Sequence, residues 1–288
     1  MKQLIVTADD FGLAPAVNEA VEQAHRRGIL SAASLMVTAP AAGDAVDRAR
    51  RLPGLGVGLH LVLVDGQPAL PPKEIPDLVG PDGRFPTNVT AAGINIFCRP
   101  RARAQLEREI RAQLELFRKT GLPLDHVNSH HHFHIHPTIA ATLVRLAPQY
   151  GIKAVRVPTE RPIESWHAGG DRLFRRLLAW INQVPWTRSL RRQLDRAGIR
   201  ANDCVLGLSD TGDMRADRVA RYLANLPEGV SELYVHAAVE RWSGPEAWPQ
   251  HYACRGEFEA LIDTTVMATL RRIGVRPITF AALTQAAA

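Results

Sequence analysis

The chain has 288 residues and a formal net charge of +6 at pH 7. No apolar run approaches the roughly 18 residues that cross a membrane, and the first residues lead directly into a strand-like segment, so we expect no transmembrane helix and no cleaved signal peptide. The cysteines, Cys98, Cys204 and Cys254, are scattered and odd in number, which is typical of reduced cytoplasmic thiols rather than a disulfide framework or a zinc knuckle. No nucleic-acid motif accompanies the basic charge, so we predict no nucleic-acid partner, and the sequence leaves the oligomeric state open.

Short apolar runs alternate with helical patterns through the first half of the chain, which predicts βα units and a parallel sheet. We predict strands at 2–7, 31–37, 57–63, 124–128 and 153–157, and helices at 15–27, 40–51, 103–120 and 137–150. The segment 65–100 is rich in Pro and Gly, which predicts a long loop or lid. Because (β/α) barrels of about 250 residues commonly fold as one domain, we expect residues 1–288 to form one irregular, TIM-like (β/α) barrel.

Polar side chains stand at two of the predicted strand ends. The first strand leads into two consecutive carboxylates, Asp9 and Asp10, and the third carries His60 in an otherwise apolar run. A lone histidine on an apolar strand is usually a hydrogen-bonded core residue. Here the neighbouring carboxylates favour a functional role, because α/β enzymes hold their chemistry at the carboxyl ends of strands.

Five histidines lie within residues 130–136, HHHFHIH, directly after the fourth predicted strand. If the strand continued through them, alternation would send His130, His132 and His134 to one face and His131 to the other. Histidine-rich tracts are typical of metal sites, and the remaining imidazoles could hold ligands in place or carry protons. One carboxylate with two imidazoles leaves positions open for water and substrate, which indicates a catalytic rather than a closed structural site.

Three short motifs carry a family resemblance: TADDFG at 7–12, GLHL at 58–61 and SHHHFH at 129–134. They resemble the three signatures of the YdjC/ChbG-like carbohydrate deacetylases. The similarity continues through RVP at 156–158, ELYVH at 232–236 and RGEFEAL at 255–261, so it covers most of the chain. A closer resemblance is to the hopanoid-biosynthesis-associated branch, HpnK, and rests on LAPAVNEAV at 13–21, SLMV at 34–37, VGLHLVL at 57–63, LDHVN at 124–128 and FHIHP at 133–137.

The resemblance implies roles for individual residues. In this family the second Asp of the first signature, the His of the second and the first His of the third bind the metal, which corresponds here to Asp10, His60 and His130. Asp9 is then the catalytic base. The family's late histidine corresponds to His236, a candidate general acid, although family members often follow that histidine with Pro-Gly and this chain has two alanines.

The reaction implied by the resemblance is metal-assisted hydrolysis of an N-acetyl group from a sugar, and the branch resemblance narrows the substrate to an N-acetylglucosaminyl hopanoid lipid. One divalent ion, Mg²⁺ or Zn²⁺, would activate a water whose proton passes to Asp9, and His236 or alternatively His132 would protonate the departing amine. An Asp/His₂ set suits zinc and other first-row ions, whereas imidazole is a poor match for so hard a cation as Mg²⁺.

Two other classes of function remain open. A metal-dependent phosphoesterase or amidohydrolase could use the same ligand types, but those barrels usually begin with a His-x-His pair where this chain has Asp9 and Asp10. A non-enzymatic metal-binding or lipid-binding module would need no base beside a metal ligand. The paired aspartates therefore argue against both alternatives.

The composition changes between residues 160 and 203, where arginines are interleaved with apolar and aromatic residues and acids are sparse. We interpret 160–203 as a basic helical insert within the barrel domain. Such a segment can lie at an anionic membrane surface, which would make the protein peripheral at the inner face of the membrane. The alternative is a helical pair that covers the barrel mouth and leaves its arginines solvated: Arg172, Arg175, Arg176, Arg188, Arg191, Arg192, Arg196 and Arg200.

Overall fold

A computed structural model of the protein describes residues 1–244 and 247–285. Its centre is a parallel sheet of six strands in the order β4-β3-β2-β1-β6-β5, which curls into a half-barrel surrounded by helices. The expectation of an irregular, TIM-like (β/α) barrel is confirmed. The strands are β1 (Lys2–Phe11), β2 (Ala32–Leu35), β3 (Gly56–Leu61), β4 (Val127–Ser129), β5 (Cys204–Leu206) and β6 (Gly229–Val235).

The gap in the barrel between β4 and β5 is bridged by the segment 153–159. Val155 forms a single bridge with Val127, and Ala154 forms one with Arg200. The strand predicted at 153–157 is therefore wrong, because only these isolated bridges form. Instead of continuing a ladder, the amide and carbonyl of Val157 bond the side chain of Asn202, at 2.8 and 3.0 Å.

Helices cover the outside of the sheet. Two of them, α1 and α5, have the predicted bounds, and each begins with a proline, whose fixed φ suits a first helical turn. No helix in the described ranges combines the length and apolar content needed to cross a bilayer. The helices are α1 (Pro15–Arg27), α2 (Ala42–Arg50), α3 (Val89–Cys98), α4 (Pro100–Lys119), α5 (Pro137–Tyr150), α6 (Pro162–Gly169), α7 (Leu173–Arg196), α8 (Ala216–Ala224), α9 (Cys254–Leu261), α10 (Thr264–Ile273) and α11 (Phe280–Gln285).

The segment predicted as one long loop, 65–100, is only partly irregular. Helix α3 occupies its last third and begins after Asn88, whose side chain accepts a hydrogen bond from the amide of Ala91 at 2.9 Å. Asparagine is among the preferred residues for such a cap because it satisfies an otherwise unpaired amide. The prediction was wrong here because the Pro and Gly residues that suggested a loop are concentrated before the cap.

The strands are buried on both faces, as in other parallel sheets covered by helices. The side chains of Leu4, Ile5 and Val6 in β1 are fully buried, and so are those of Leu59 and Leu61 in β3. Because all six strands run in the same direction, their carboxyl ends meet at one edge of the half-barrel. The polar residues that follow these apolar runs are therefore brought together there.

Helices α6 and α7 occupy most of the predicted basic insert. One of its arginines is not at the surface: Arg176 is 2% exposed and forms ion pairs with Asp171 at 3.0 Å and Asp210 at 2.8 Å. A second, Arg191, donates to the backbone carbonyl of Asn202. The expectation that the arginines of this segment are solvated or face a membrane is therefore wrong for Arg176, because its charge is satisfied inside the protein.

Candidate active site

Three of the predicted site residues converge at the carboxyl edge of the sheet. Oδ1 of Asp10, near the end of β1, lies 3.1 Å from Nε2 of His60 on β3 and 3.2 Å from Nδ1 of His130, just after β4. The three ligand atoms lie within 4.8 Å of one another. Two ligands about 2.1 Å from one ion can be at most about 4.2 Å apart, so small adjustments suffice for all three to bind it. This largely buried donor set fits a divalent cation.

The backbone of β1 explains how two adjacent carboxylates can serve one site. In a regular strand Asp9 and Asp10 would point to opposite faces of the sheet. Here the pairing with β2 shifts register between Ala8 and Phe11, and Asp10 has a φ of 62°. A bulge of this kind re-aims side chains, and a positive φ is strained for any residue but glycine. As a result both carboxylates line the same cavity.

The environment of Asp9 differs from that of its neighbour. Its two carboxylate oxygens accept hydrogen bonds from Nη1 and Nη2 of Arg156, at 2.6 and 2.9 Å. Burial alone would raise the pKa of Asp9, but the guanidinium of Arg156 and then the ring of His60 hold that pKa below its ordinary value. Asp9 is therefore ionised and held in a fixed orientation by a bidentate pair.

Arg156 is itself fixed by a second buried carboxylate. Its Nε and Nη2 donate to Glu232 on β6, at 2.9 and 2.6 Å, and Glu232 also accepts from the hydroxyl of Thr7 at 2.7 Å. Arg156 and Glu232 are fully buried. Burial of a charge is costly unless it is paired and hydrogen-bonded, and each of these groups meets that condition. We call Asp9, Arg156, Glu232 and Thr7 the Arg156 cluster.

Asn128, the middle residue of β4, connects the two carboxylate environments. Its Oδ1 lies 2.7 Å from Nδ1 of His60, and its Nδ2 donates to Oδ1 of Asp9 at 3.1 Å and to Oγ of Ser34 at 2.8 Å. A carbonyl oxygen can only accept, so Nδ1 of His60 donates to Asn128, and Nε2 is the nitrogen left to bind an ion beside Asp10. This is the tautomer a metal ligand requires.

The residues after β6 close the other side of the site. The indole of Trp248 donates to Oδ2 of Asp10 at 2.8 Å, and Nε2 of His236 lies 3.9 Å from the same oxygen. Burial lowers the pKa of His236, so its ring is neutral in the free protein. The amide of His236 donates to the buried carboxyl of Glu257 at 2.6 Å, and burial raises the pKa of that carboxyl to about 7.

The histidine tract does not continue β4 as a strand. Residues 130–135 form a tight 3₁₀ turn in which His131 and His132 have positive φ, so the predicted alternation of side chains is wrong. His131 contacts Asp65 at the surface, at 3.2 Å, while Nδ1 of His132 is buried with no hydrogen-bond partner among the described residues. Burial lowers the pKa of His134 to about 3, and this ring bonds Ser129 and the carbonyl of Arg156, which is a structural role.

The site opens into a cavity of about 380 Å³, within the range typical of small-molecule sites. Its polar lining is formed by Asp9, Asp10, His60, His130, His131, His132 and His236. Three aromatic side chains, Tyr234, Trp248 and Tyr252, form much of the wall. The cavity thus combines an apolar surface, a candidate metal site and an ionised carboxylate.

Three contributors to the site were not predicted: Arg156, Asn128 and Trp248. The first had a signal, because an arginine inside the apolar run AVRV at 154–157 must be paired if that run is buried. Asn128 resembles any polar residue at a strand end. Trp248 lies in an irregular loop more than 230 residues from Asp10, where no sequence pattern indicates its contact.

The fold and the site together define a (β/α) barrel protein in which a carboxylate and two imidazoles meet beside a second carboxylate held by an arginine. The chain belongs to the family described as YdjC-like protein, which it matches over residues 3–272.

Relatives in this family come from bacteria and animals. A mouse protein named carbohydrate deacetylase is 30% identical over 95% of this chain and 92% of its own length. A Brevibacillus brevis protein of the same name is 41% identical, but the match spans 56% of this chain and 59% of the relative. A crystal structure from Enterococcus faecalis V583, of a protein named for a proposed role in cellobiose-phosphate cleavage, has the same fold, with a TM-score of 0.77 at 24% identity over 98% of both chains.

Proposed function

We propose that this protein is a metal-dependent carbohydrate N-deacetylase. The observation that carries the proposal is the joint placement, in one cavity, of an ionised and oriented carboxylate, Asp9, beside the buried donor set of Asp10, His60 and His130. The name carbohydrate deacetylase shared by relatives in the same family supports an N-acetylated sugar as the substrate.

The donor set Asp10, His60 and His130 would hold the ion, and Asn128 would keep His60 in the required tautomer. When bound, the ion would supply Lewis-acid chemistry, polarising the acetamide carbonyl and making an attacking water more acidic. The ligands narrow the identity of the ion without fixing it, because two imidazoles favour zinc or another first-row ion over Mg²⁺.

Asp9 is the proposed general base. Its ionised form can accept a proton, and the bidentate contact with Arg156 fixes its orientation beside the cavity that it lines. The same contact makes Asp9 a weak base, because its pKa is lowered. Transfer to Asp9 therefore depends on an acidic attacking water, so the base and the ion would have to act together.

The proposed general acid is His236, with His132 as the alternative. Both rings line the cavity, and each has an Nδ1 without a hydrogen-bond partner among the described residues. Burial lowers the pKa of both, most strongly for His132. A neutral ring must first gain a proton before it can donate one to the departing amine. His236 is the better candidate, because its pKa is lowered less than that of His132 and Asp10 lies 3.9 Å away.

We further propose that the substrate is lipid-linked, specifically an N-acetylglucosaminyl hopanoid, and that α3, α6 and α7 contact the membrane that contains it. Apart from Met1, the large exposed hydrophobic side chains within the described ranges all lie on these three helices: Ile94, Phe97, Ile163, Phe174, Leu178, Ile181 and Trp186. Apolar groups flanked by arginines are typical of helices at an anionic interface.

Acetate release tests the proposed reaction directly. We expect the purified protein to release acetate from N-acetylglucosamine conjugates, to stop when the metal is chelated, and to recover when a divalent ion is restored. A soluble conjugate and a lipid-linked conjugate should be assayed in parallel, because only the second addresses the finer substrate assignment. No acetate from either substrate in the metal-loaded protein would contradict a deacetylase.

A further inference from the structure

A second cavity lies beside the candidate active site and has no role in the reaction proposed above. Its volume is about 580 Å³, and it is enclosed by α7, the turn at 208–211 and the start of α8. Thr211 lines both cavities, and its hydroxyl bonds that of Tyr234 in the wall of the active site. The two cavities are therefore neighbours separated by one residue.

Arginines dominate the lining of this second cavity. Five of them line it, against three acidic residues, Glu160, Asp210 and Asp213. Four of the arginines form ion pairs with Asp210, Asp213 or the adjacent Asp171, at 2.7 to 3.2 Å. The fifth, Arg175, is exposed and has no hydrogen-bond or ion-pair partner among the residues that the structure describes. The five are Arg172, Arg175, Arg176, Arg215 and Arg218.

The start of α7 adds to the positive potential. No side chain caps this end of the 24-residue helix, and its first turn contains no acidic residue. The amides of an uncapped first turn, together with the helix dipole, favour an anion. Arg172 and Arg175 flank this turn and both line the cavity. A guanidinium fork matches a phosphate group bidentately, and phosphate is also an anion that helix N-termini bind, so it suits both features of the site.

The position of Arg175 indicates where the phosphate comes from. Phe174, Leu178 and Ile181 are spaced by four and three residues, so they form one exposed apolar face of α7. Arg175 follows Phe174 and lies about 100° around the helix. It stands between this apolar face and the cavity. A lipid whose chains contact the apolar face would thus place its headgroup beside Arg175.

We propose that this second cavity binds the phosphate headgroup of an anionic phospholipid, with Arg175 as its leading contact. This site is separate from the candidate active site, and its occupancy does not depend on the proposed deacetylase reaction. It would hold α7 at the membrane with the active site beside it. Free phosphate offers the same chemistry without the chains, so the test must distinguish the two sources.

Isothermal titration calorimetry on the full chain can do so with soluble probes. The probes are dihexanoyl phosphatidic acid below its micellar concentration, dihexanoyl phosphatidylcholine and inorganic phosphate. The variants are Arg175→Glu and Arg175→Ala, with Arg188→Glu as the matched control, because Arg188 is an exposed arginine of the same helix outside the cavity. We expect one phosphatidic acid per chain, an affinity at least tenfold weaker in both Arg175 variants, and little change in Arg188→Glu.

The other outcomes would overturn the proposal. Equal weakening by Arg175→Glu and Arg188→Glu would indicate diffuse charge attraction instead of a site. Binding of inorganic phosphate as tight as that of phosphatidic acid would indicate a soluble phosphate ligand, and equal binding of phosphatidylcholine would indicate recognition of the chains alone. Acetate release from a soluble N-acetyl sugar should be unchanged in Arg175→Glu, which separates failure of this site from failure of the proposed reaction.

Discussion

Two buried arginines in this protein have similar surroundings and different proposed roles. Arg156 pairs with Asp9 and Glu232 at the carboxyl edge of the sheet, and Arg176 pairs with Asp171 and Asp210 beneath α7. Both guanidinium groups are nearly inaccessible to solvent, at 0% and 2% exposure. Yet one arginine orients a carboxylate that lines the active-site cavity, and the other fastens a helix to the barrel.

The difference lies in the remaining contacts of the two carboxylates. Asp210 is held redundantly, since Arg218 and the hydroxyl of Tyr222 also donate to it, at 3.0 and 2.6 Å. Asp9 has Arg156 as its cationic partner and its other donor is Asn128, so its orientation depends on one ion pair. A buried arginine by itself therefore does not identify a catalytic group. The carboxylate must also line the cavity that contains the candidate metal ligands, as Asp9 does and Asp210 does not.

The largest expected effect is on acetate release, and it should distinguish Asp9 from Asp210. Asp9→Asn should lower acetate release by about 10²–10⁴-fold, because it removes the proposed general base, while metal binding measured by equilibrium dialysis should be retained. His60→Ala should lose both acetate release and metal binding. Asp210→Asn is the control and should keep its turnover, since Asp210 is outside the active-site cavity. Loss of metal in Asp9→Asn to the same extent as in His60→Ala would contradict the roles assigned to the two aspartates of β1.

Replacing each buried arginine in turn should show whether the two ion-pair clusters contribute equally to the stability of the fold. Arg156→Met leaves Asp9 and Glu232 buried without a cation, which should lower the free energy of unfolding by about 3–5 kcal/mol. Arg176→Met should cost less, because Asp210 keeps Arg218 and Tyr222. Urea unfolding of both variants measures the difference. Equal losses would show that the extra partners of Asp210 do not compensate.

Another buried carboxyl, Glu257, has no arginine partner among the described residues, and burial raises its pKa to about 7. Between about pH 4.5 and 7 the folded protein keeps a proton on Glu257 that the unfolded chain releases, so this group's contribution to stability is lost as pH rises through that window. Glu257→Gln cannot titrate. Its free energy of unfolding relative to wild type should therefore increase by about 3 kcal/mol from pH 4.5 to pH 8. A pH-independent difference between the two proteins would disprove the raised pKa.

The link between the Arg156 cluster and the candidate metal site can be tested at Asn128. Asn128→Leu has a similar size but cannot accept from Nδ1 of His60, and loss of such a supporting contact typically weakens metal affinity by about 10–100-fold. Ser34→Ala is the matched control, since Ser34 contacts Asn128 but not His60. Competition with a chromophoric chelator measures both affinities. Unchanged affinity in Asn128→Leu would mean that His60 is positioned by other contacts.

The smallest effect per residue is expected at the surface of α7. Arg175, Arg188 and Arg192 are exposed, whereas Arg176 is not and must be left intact to preserve the fold. Replacing the three by glutamine should weaken sedimentation with anionic liposomes by about 1 kcal/mol per residue, and raised salt should produce a similar loss. Hydrolysis of a soluble substrate should be unaffected. Unchanged liposome binding would favour a helical pair that only covers the barrel mouth.

Much of the fold was readable from local pattern. Alternating apolar runs predicted the parallel sheet, and proline at a first turn with glycine after the last fixed the bounds of α1. The motifs at 7–12, 58–61 and 129–134 predicted which strand ends carry Asp10, His60 and His130. The predictions of the strands and of α1 were correct because burial on both faces of a strand and the φ of proline are local properties. Each can be recognised from a few consecutive residues.

Other features depended on partners distant in sequence. The bulge that aims Asp9 and Asp10 into one cavity, the turn that disperses the histidine tract, and the burial of Arg176 are set by contacts with other elements. Asp9 and Asp10 are adjacent carboxylates of identical chemistry. One is the proposed base and the other the proposed ligand only because Arg156 approaches the first and two imidazoles approach the second. Such differences are electrostatic and arise from groups more than 100 residues away in most cases, so the tertiary structure alone decides them.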